Sequence, residues 1–303
     1  MRSEPANGAG LDCDPEADDC GVPTDTAVTL WFDRFLLPSS AVRQSVAIYT
    51  GLPTNPALPT TNLRAELSPR YDLTDRSVRY VFPAGFTLQP KTLYTIVLPI
   101  YTEQSPSGFQ AFDGAALDGE QAVRLAFFTG REPSGSPVAV PSAPSCDDVQ
   151  RALDGCTACH GALGADPAPP MGLSLTAWDG LEATAIGRPA HQTEIGDTTG
   201  LTSEAPPRFG VNMPVIDPER PDNSYLMYKL LLRPEAYQPS PNDPSDCSSD
   251  GECSAPDPAE LARLHEWFVR GDPMPAVSPG ESFVFHRELT TIQAFIGTGA
   301  ACP

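Results

Sequence analysis

Residues 146–161 read CDDVQRALDGCTACHG. The first part has a helical period: Val149, Leu153 and Cys156 fall on one face, and Asp147 is placed to cap the helix. The last part is C-x-x-C-H, formed by Cys156, Cys159 and His160. Two cysteines three apart on a helix or tight turn share a face. Their thiols can then add to the two vinyl groups of one haem, and the next residue gives its Nε2 to the iron. A zinc site needs four ligands, and the sequence has no second C-x-x-C and no H-x-x-x-H. A thioredoxin-like redox pair needs a βαβ setting, which the pattern around 146–161 lacks. The expected cofactor is therefore one covalently attached haem c, held by Cys156, Cys159 and His160.

C-terminal to this block the helical periods continue. Ser224–Leu232 is short and apolar. Glu260, Leu261, Leu264, Trp267, Phe268 and Gly271 recur 28 residues later as Glu288, Leu289, Ile292, Phe295, Ile296 and Gly299. Each set reads as one amphipathic helix ending on glycine. Trp267 and Phe268 read as core. The sixth iron ligand has two methionine candidates, Met213 and Met274, because each precedes a proline that stiffens its loop. A thioether is a soft ligand that favours ferrous iron. His191, His265 and His286 are the alternatives for bis-histidine ligation.

The blocks CDDVQRALDGCTACHG (146–161), IDPERPDNSYLMYKLL (216–231), GDPMP (271–275) and ELTTIQAFIGTGAACP (288–303) together resemble a lipoprotein-type cytochrome c domain of environmental bacteria. The resemblance implies an all-α domain over 146–303 and an electron carrier rather than an enzyme. It also implies a lipid anchor upstream of the given residues. It places Met274, 14 residues before Glu288, at the family's ligand spacing, with Met213 as the alternative. This chain departs from the family in Phe295, where a Trp is usual, and in the long stretch between the haem motif and Met274. Pro234–Pro256 reads as an inserted loop, and the helix at 258–270 is extra.

N-terminal to the block, residues 133–145 (EPSGSPVAVPSAP) read as an extended Pro/Ser linker. Residues 25–132 read as all-β. Val28, Leu30 and Phe32 alternate with Thr29, Trp31 and Asp33. Further strands are expected at Ser45–Tyr49, Ala65–Leu73, Ser77–Phe82, Leu93–Ile100 and Ala122–Thr129, separated by Pro and Gly clusters. The stretches 22–41, 78–99 and 112–130 resemble the bacterial Ig-like domain. The carrying motifs are Pro23 to Asp33, Leu88 to Thr95, and Phe127 to Thr129. That family implies a spacer or binding module without common catalytic residues. Residues 1–24 are small and acidic and read as a surface tail. The expected fold class is thus multidomain, an all-β Ig-like sandwich followed by an all-α cytochrome c-like domain.

The 303 residues carry 19 basic and 39 acidic side chains, a net charge of −20. That charge excludes a nucleic-acid binder, which needs a basic patch, and points to a redox partner with a basic docking face. No apolar run approaches the roughly 18 residues of a membrane span. Eight cysteines point to an oxidising compartment, periplasm or cell surface, with the export signal outside the given chain. Once haem uses two, six remain, and local spacing favours Cys13–Cys20 and Cys247–Cys253, leaving Cys146–Cys302 to bracket the second domain. No distal His/Arg constellation suggests peroxidase chemistry. The competing reading is a cell-surface binding or scaffold protein whose haem domain is structural or sensory.

Overall fold

Strand β2 (Val28–Trp31) sends Val28 and Leu30 into the core and leaves Thr29 and Trp31 half-buried, as period-2 alternation requires. The computed structural model describes the chain except at 13, 15–19, 52–62, 105, 120, 135–141, 167, 177, 191–212, 241–246, 248–252, 254, 270, 271, 275–283, 302 and 303. It divides into two units, Met1–Val140 and Pro141–Pro303.

In the first unit, β2 lies between β1 (Arg2–Glu4) and β5 (Ser77–Val81). Strand β4 (Ser68–Asp72) completes a four-stranded sheet in the order β1-β2-β5-β4. A second sheet joins β3 (Ala47–Thr50), β6 (Leu93–Leu98) and β7 (Val123–Phe128) in the order β3-β6-β7. All of these pairs are antiparallel. The register puts apolar partners side by side: Leu30 faces Val78 in one sheet, and Ile96 lies between Ile48 and Leu125 in the other. Val28, Leu30, Val78, Ile48, Ile96 and Phe127 belong to one buried cluster fed by both sheets.

Residues 1–24 contribute to this unit. Arg2–Glu4 pairs with β2, the Arg2 guanidinium lies 4.2 Å from the Trp31 ring centre, and Val22 N–H donates to the Phe128 carbonyl at 2.8 Å. The acidic composition that suggested a tail belongs to residues beyond this strand, most of them outside the described set.

In the second unit, α1 (Cys146–Thr157) starts from a capping box. Ser145 Oγ accepts from Asp148 N–H, and the Asp148 carboxylate accepts from Ser145 N–H, both at 3.2 Å. Ser145 rather than Asp147 is the cap, because Asp148 stands three residues on and can return the bond. Among the described residues the other α-helices are α2 (Asp179–Thr184), α3 (Tyr225–Leu231), α4 (Pro258–Trp267) and α5 (His286–Gly297). Val149, Leu153 and Cys156 of α1 are buried, as are Leu289, Ile292, Phe295 and Ile296 of α5, and α1 packs on α5. Phe268, at the end of α4, meets Tyr225 and Tyr228 edge-on at 5.7 and 4.9 Å.

The expected all-β Ig-like sandwich followed by an all-α domain is corrected. The chain is mixed α and β, with two small antiparallel sheets. The stretch expected as one strand over Ala65–Leu73 begins instead within a 3₁₀ turn, Leu63–Glu66, and only Ser68–Asp72 is extended. Further 3₁₀ turns occupy Pro38–Ser40 and Arg43–Ser45. The second unit contains extended bridges, Ile186 with Ile216 and Pro189 with Pro214. Proline explains part of both departures, for Pro38 opens one of the 3₁₀ turns and Pro189 and Pro214 form one of the bridges. It opens 3₁₀ turns readily, and it holds itself and the residue before it out of a continuing helix.

Candidate functional site

The C-x-x-C-H motif sits where α1 ends. Cys156 is in its last turn and is buried, whereas Cys159, one turn on, is exposed. The Cys156 carbonyl accepts from Cys159 N–H at 3.2 Å and from His160 N–H at 2.9 Å. The helix thus tightens and hands on directly to His160. Burial, with the neighbouring Cys159 adding to it, pushes the Cys156 thiol up to about 11. Cys156 is therefore a protonated thiol at neutral pH.

His160 is half-buried and held at three points: its N–H by Cys156, its carbonyl by Leu175 N–H at 2.8 Å, and its ring by the Leu173 carbonyl. The ring contact is 2.9 Å from Nδ1. A carbonyl can only accept, so Nδ1 carries the hydrogen, and in the neutral ring Nε2 keeps its lone pair. This is the tautomer a metal-ligating histidine needs, with its other nitrogen tied to a backbone acceptor.

The strand of chain that supplies Leu173 is itself braced by α2. Thr184 Oγ donates to the carbonyls of Ser174 and Gly180 at 3.0 and 2.7 Å and accepts from Ser174 N–H at 2.9 Å. Gly180 lets the two pieces meet: a Cβ there would stand 2.2 Å from Ser174 Oγ and 2.5 Å from Thr176 Oγ. Gly180→Ala is expected to displace 174–176 and destabilise the second unit by about 1–3 kcal/mol. Urea unfolding followed by helical circular dichroism measures this, and an unchanged midpoint would show that the segment yields freely. The Trp178 ring, beside the same helix, meets Phe295 edge-on at 5.8 Å.

Both methionine candidates lie on segments bonded to α3. Met213 is 3 % exposed, and its carbonyl accepts from Ala190 N–H at 2.8 Å. The next carbonyls, of Pro214 and Val215, accept from Tyr225 and Leu226 at 2.9 and 3.0 Å, at the start of α3. Met274 is half-buried, and its N–H donates to the Lys229 carbonyl at 3.3 Å, near the end of α3. Of the histidine alternatives, His191 lies outside the described residues, His265 is exposed on α4, and His286 opens α5.

Cys247 and Cys253 form a disulfide with Cα atoms 4.8 Å apart. Cys20 and Cys146 are also disulfide-bonded. The partners expected for them, Cys13 and Cys302, lie outside the described residues. Among the described cysteines, Cys156 and Cys159 alone keep free thiols. One group among the described residues has ligand spacing for a metal ion, Cys247, Cys253 and His286, with ligand atoms within 4.8 Å of one another. With its two sulfurs joined it offers no thiolate, so it is not a metal site in this state.

The Leu173 carbonyl and the α2 brace were not among the expected site residues. A backbone acceptor carries no residue-type signature. Gly180 within an otherwise ordinary short helix was the available sign.

No family model matches the chain, and no curated protein matches it. Among solved structures, the N-terminal part of the bacterial S-layer protein SbsC is similar over 35 % of this chain and 21 % of its own, at 14 % identity and a TM-score of 0.23. The S-layer protein rSbsC(31-844) is similar over 40 % of this chain and 13 % of its own, at 17 % identity and a TM-score of 0.24. The chain spans about a fifth or less of the length of these proteins. Likenesses this slight define neither fold nor function. Among the described residues no helix is long and apolar enough to cross a membrane.

Proposed function

We propose that this chain is an extracytoplasmic electron-transfer protein carrying one covalently attached haem c, displayed on its strand-built first unit. The observation that carries the reading is the state of the cysteines around a prepared histidine. Cys20, Cys146, Cys247 and Cys253 are in disulfides, while Cys156 and Cys159 keep thiols beside His160, whose Nδ1 is committed to Leu173. The donor set fits the group. Cys156 and Cys159 would hold it through thioethers and His160 through Nε2, and Met274 would be the second iron ligand, with Met213 the alternative.

A haem bound in this way supplies one-electron exchange between ferric and ferrous iron. The residues of the chain do the rest. The Leu173 carbonyl fixes the imidazole and Leu175 N–H the His160 backbone, α1 and α5 pack an apolar wall behind Cys156, and the acidic surface steers a basic partner. Several disulfides in one chain support an oxidising compartment.

The test is the optical spectrum of protein matured with haem, oxidised and reduced, with a pyridine haemochrome assay. One haem c per chain, a sharp reduced α-band and the weak near-infrared band of Met-ligated ferric haem are expected. A high-spin spectrum that changes with carbon monoxide or cyanide would overturn the carrier in favour of an open iron site. No covalent haem would overturn the reading altogether and leave a surface binding or scaffold protein.

A further inference from the structure

Helix α3 buries every residue from Tyr225 to Leu231, and one of them is a lysine. Lys229 is 7 % exposed. Its Nζ donates to the Asp272 carbonyl at 3.1 Å, and its own carbonyl accepts the Met274 N–H at 3.3 Å. One residue thus grips the turn Asp272-Pro273-Met274 at both ends. Pro273, between them, has no N–H and a fixed φ, so the turn is stiff and has no backbone donor of its own at that point. A leucine or methionine in place of Lys229 would fill the same space and make only the backbone contact.

We infer that Lys229 is a positioning residue for Met274, holding the 272–274 turn against α3 so that the thioether is presented in one place. The inference rests on the proposed reading of Met274 as an iron ligand and deepens it. Lys229 acts through the turn: its Nζ bond to Asp272 and its carbonyl bond to Met274 both fall on that segment, and its ammonium is buried, where a charge costs free energy that an apolar side chain would not.

The test compares the full chain with Lys229→Met, which removes the donor, and Lys229→Arg, which keeps one. Lys229→Gln, one bond shorter and still polar, serves if the Met variant does not fold. In the haem-free proteins, hydrogen exchange at the Met274 amide is expected to quicken on the order of tenfold in Lys229→Met, with α1 and α5 amides unchanged, and to stay near wild type in Lys229→Arg. In the haem-loaded proteins, the near-infrared Met-ligation band is expected to weaken in Lys229→Met and to be retained in Lys229→Arg. Unchanged Met274 exchange in Lys229→Met would overturn the inference with Met274 ligation intact. A wild-type chain that takes up haem without that band would remove Met274 as ligand, and the positioning role with it.

Discussion

The Cys156→Ala/Cys159→Ala chain, matured with haem beside the wild type, is expected to retain none of it after denaturation, against one haem per chain in the parent. The expectation follows from which thiols are free. The other four described cysteines are already joined in disulfides, so among the described residues no substitute thiol stands beside His160. A thioether forms when the S–H adds across a vinyl double bond, sulfur to one carbon and hydrogen to the other. Each single variant therefore keeps one link and shows a pyridine haemochrome shifted toward one unreacted vinyl. The two singles separate the roles of a buried and an exposed thiol. Cys156 is in the helix and shielded, and Cys156→Ala alters packing against α5 as well as chemistry. Cys159 is at the surface, and Cys159→Ala alters chemistry alone. Denaturing electrophoresis with haem staining reads the result, and covalent haem in the double variant would place attachment elsewhere in the chain.

The parts of this molecule legible in its sequence are those fixed by neighbours in the chain. Strands β2, β5, β6 and β7 lie within the expected stretches because each is a short apolar-rich run bounded by turn residues, alternating with polar residues in β2 and β5. The helices that carry the repeated Glu-Leu pattern, over Pro258–Trp267 and His286–Gly297, follow from its helical period. What failed was the division into an all-β and an all-α half. That division treated every apolar run as one element. The 3₁₀ turn Leu63–Glu66 takes the start of one such run, and Pro189 and Pro214 hold extended chain inside the helical unit. The motif at 156–160 was legible as a pattern. Its supporting bonds were not, because they come from across the fold: the Leu173 carbonyl reaches back 13 residues, and Asp272 meets Lys229 across 43. Lys229 did leave a trace, as a single charge in the apolar run YLMYKLL, but nothing local says which oxygen it finds.

That buried lysine also shapes the pH dependence of the second unit: relative to Lys229→Met, the wild type is expected to gain about 3 kcal/mol of stability as pH rises from about 8 to about 10.5. Burial pushes the Lys229 ammonium down to about 8, against a smaller opposing pull from Asp272. Below about pH 8 both the folded and the unfolded chain hold the proton, and the folded state bears the full cost of keeping a charge out of water. Between the two values the folded lysine is neutral while the unfolded one is still charged. The unfolded chain then binds more protons, and stability rises with pH. Above the ordinary lysine value both are neutral and the gain is complete. The other lysine, Lys91, belongs to the first unit, but in the haem-free protein Cys156 acts in the opposite sense: its thiol, pushed up to about 11, keeps its proton in the folded unit after the unfolded chain has lost it, so the Lys229 contribution is read as the difference between wild type and Lys229→Met. Among the described residues the α-helices all belong to the second unit, so urea unfolding followed by helical circular dichroism, from about pH 7 to about pH 10, reads that unit. In Lys229→Met this contribution should vanish, and the variant should be at least as stable as wild type near neutrality. Wild-type and Lys229→Met curves that run parallel across the window would mean that Lys229 keeps its proton in the folded state. The same neutralisation weakens the bond to Asp272, so the pH that stabilises the unit is the pH at which its grip on the 272–274 turn loosens.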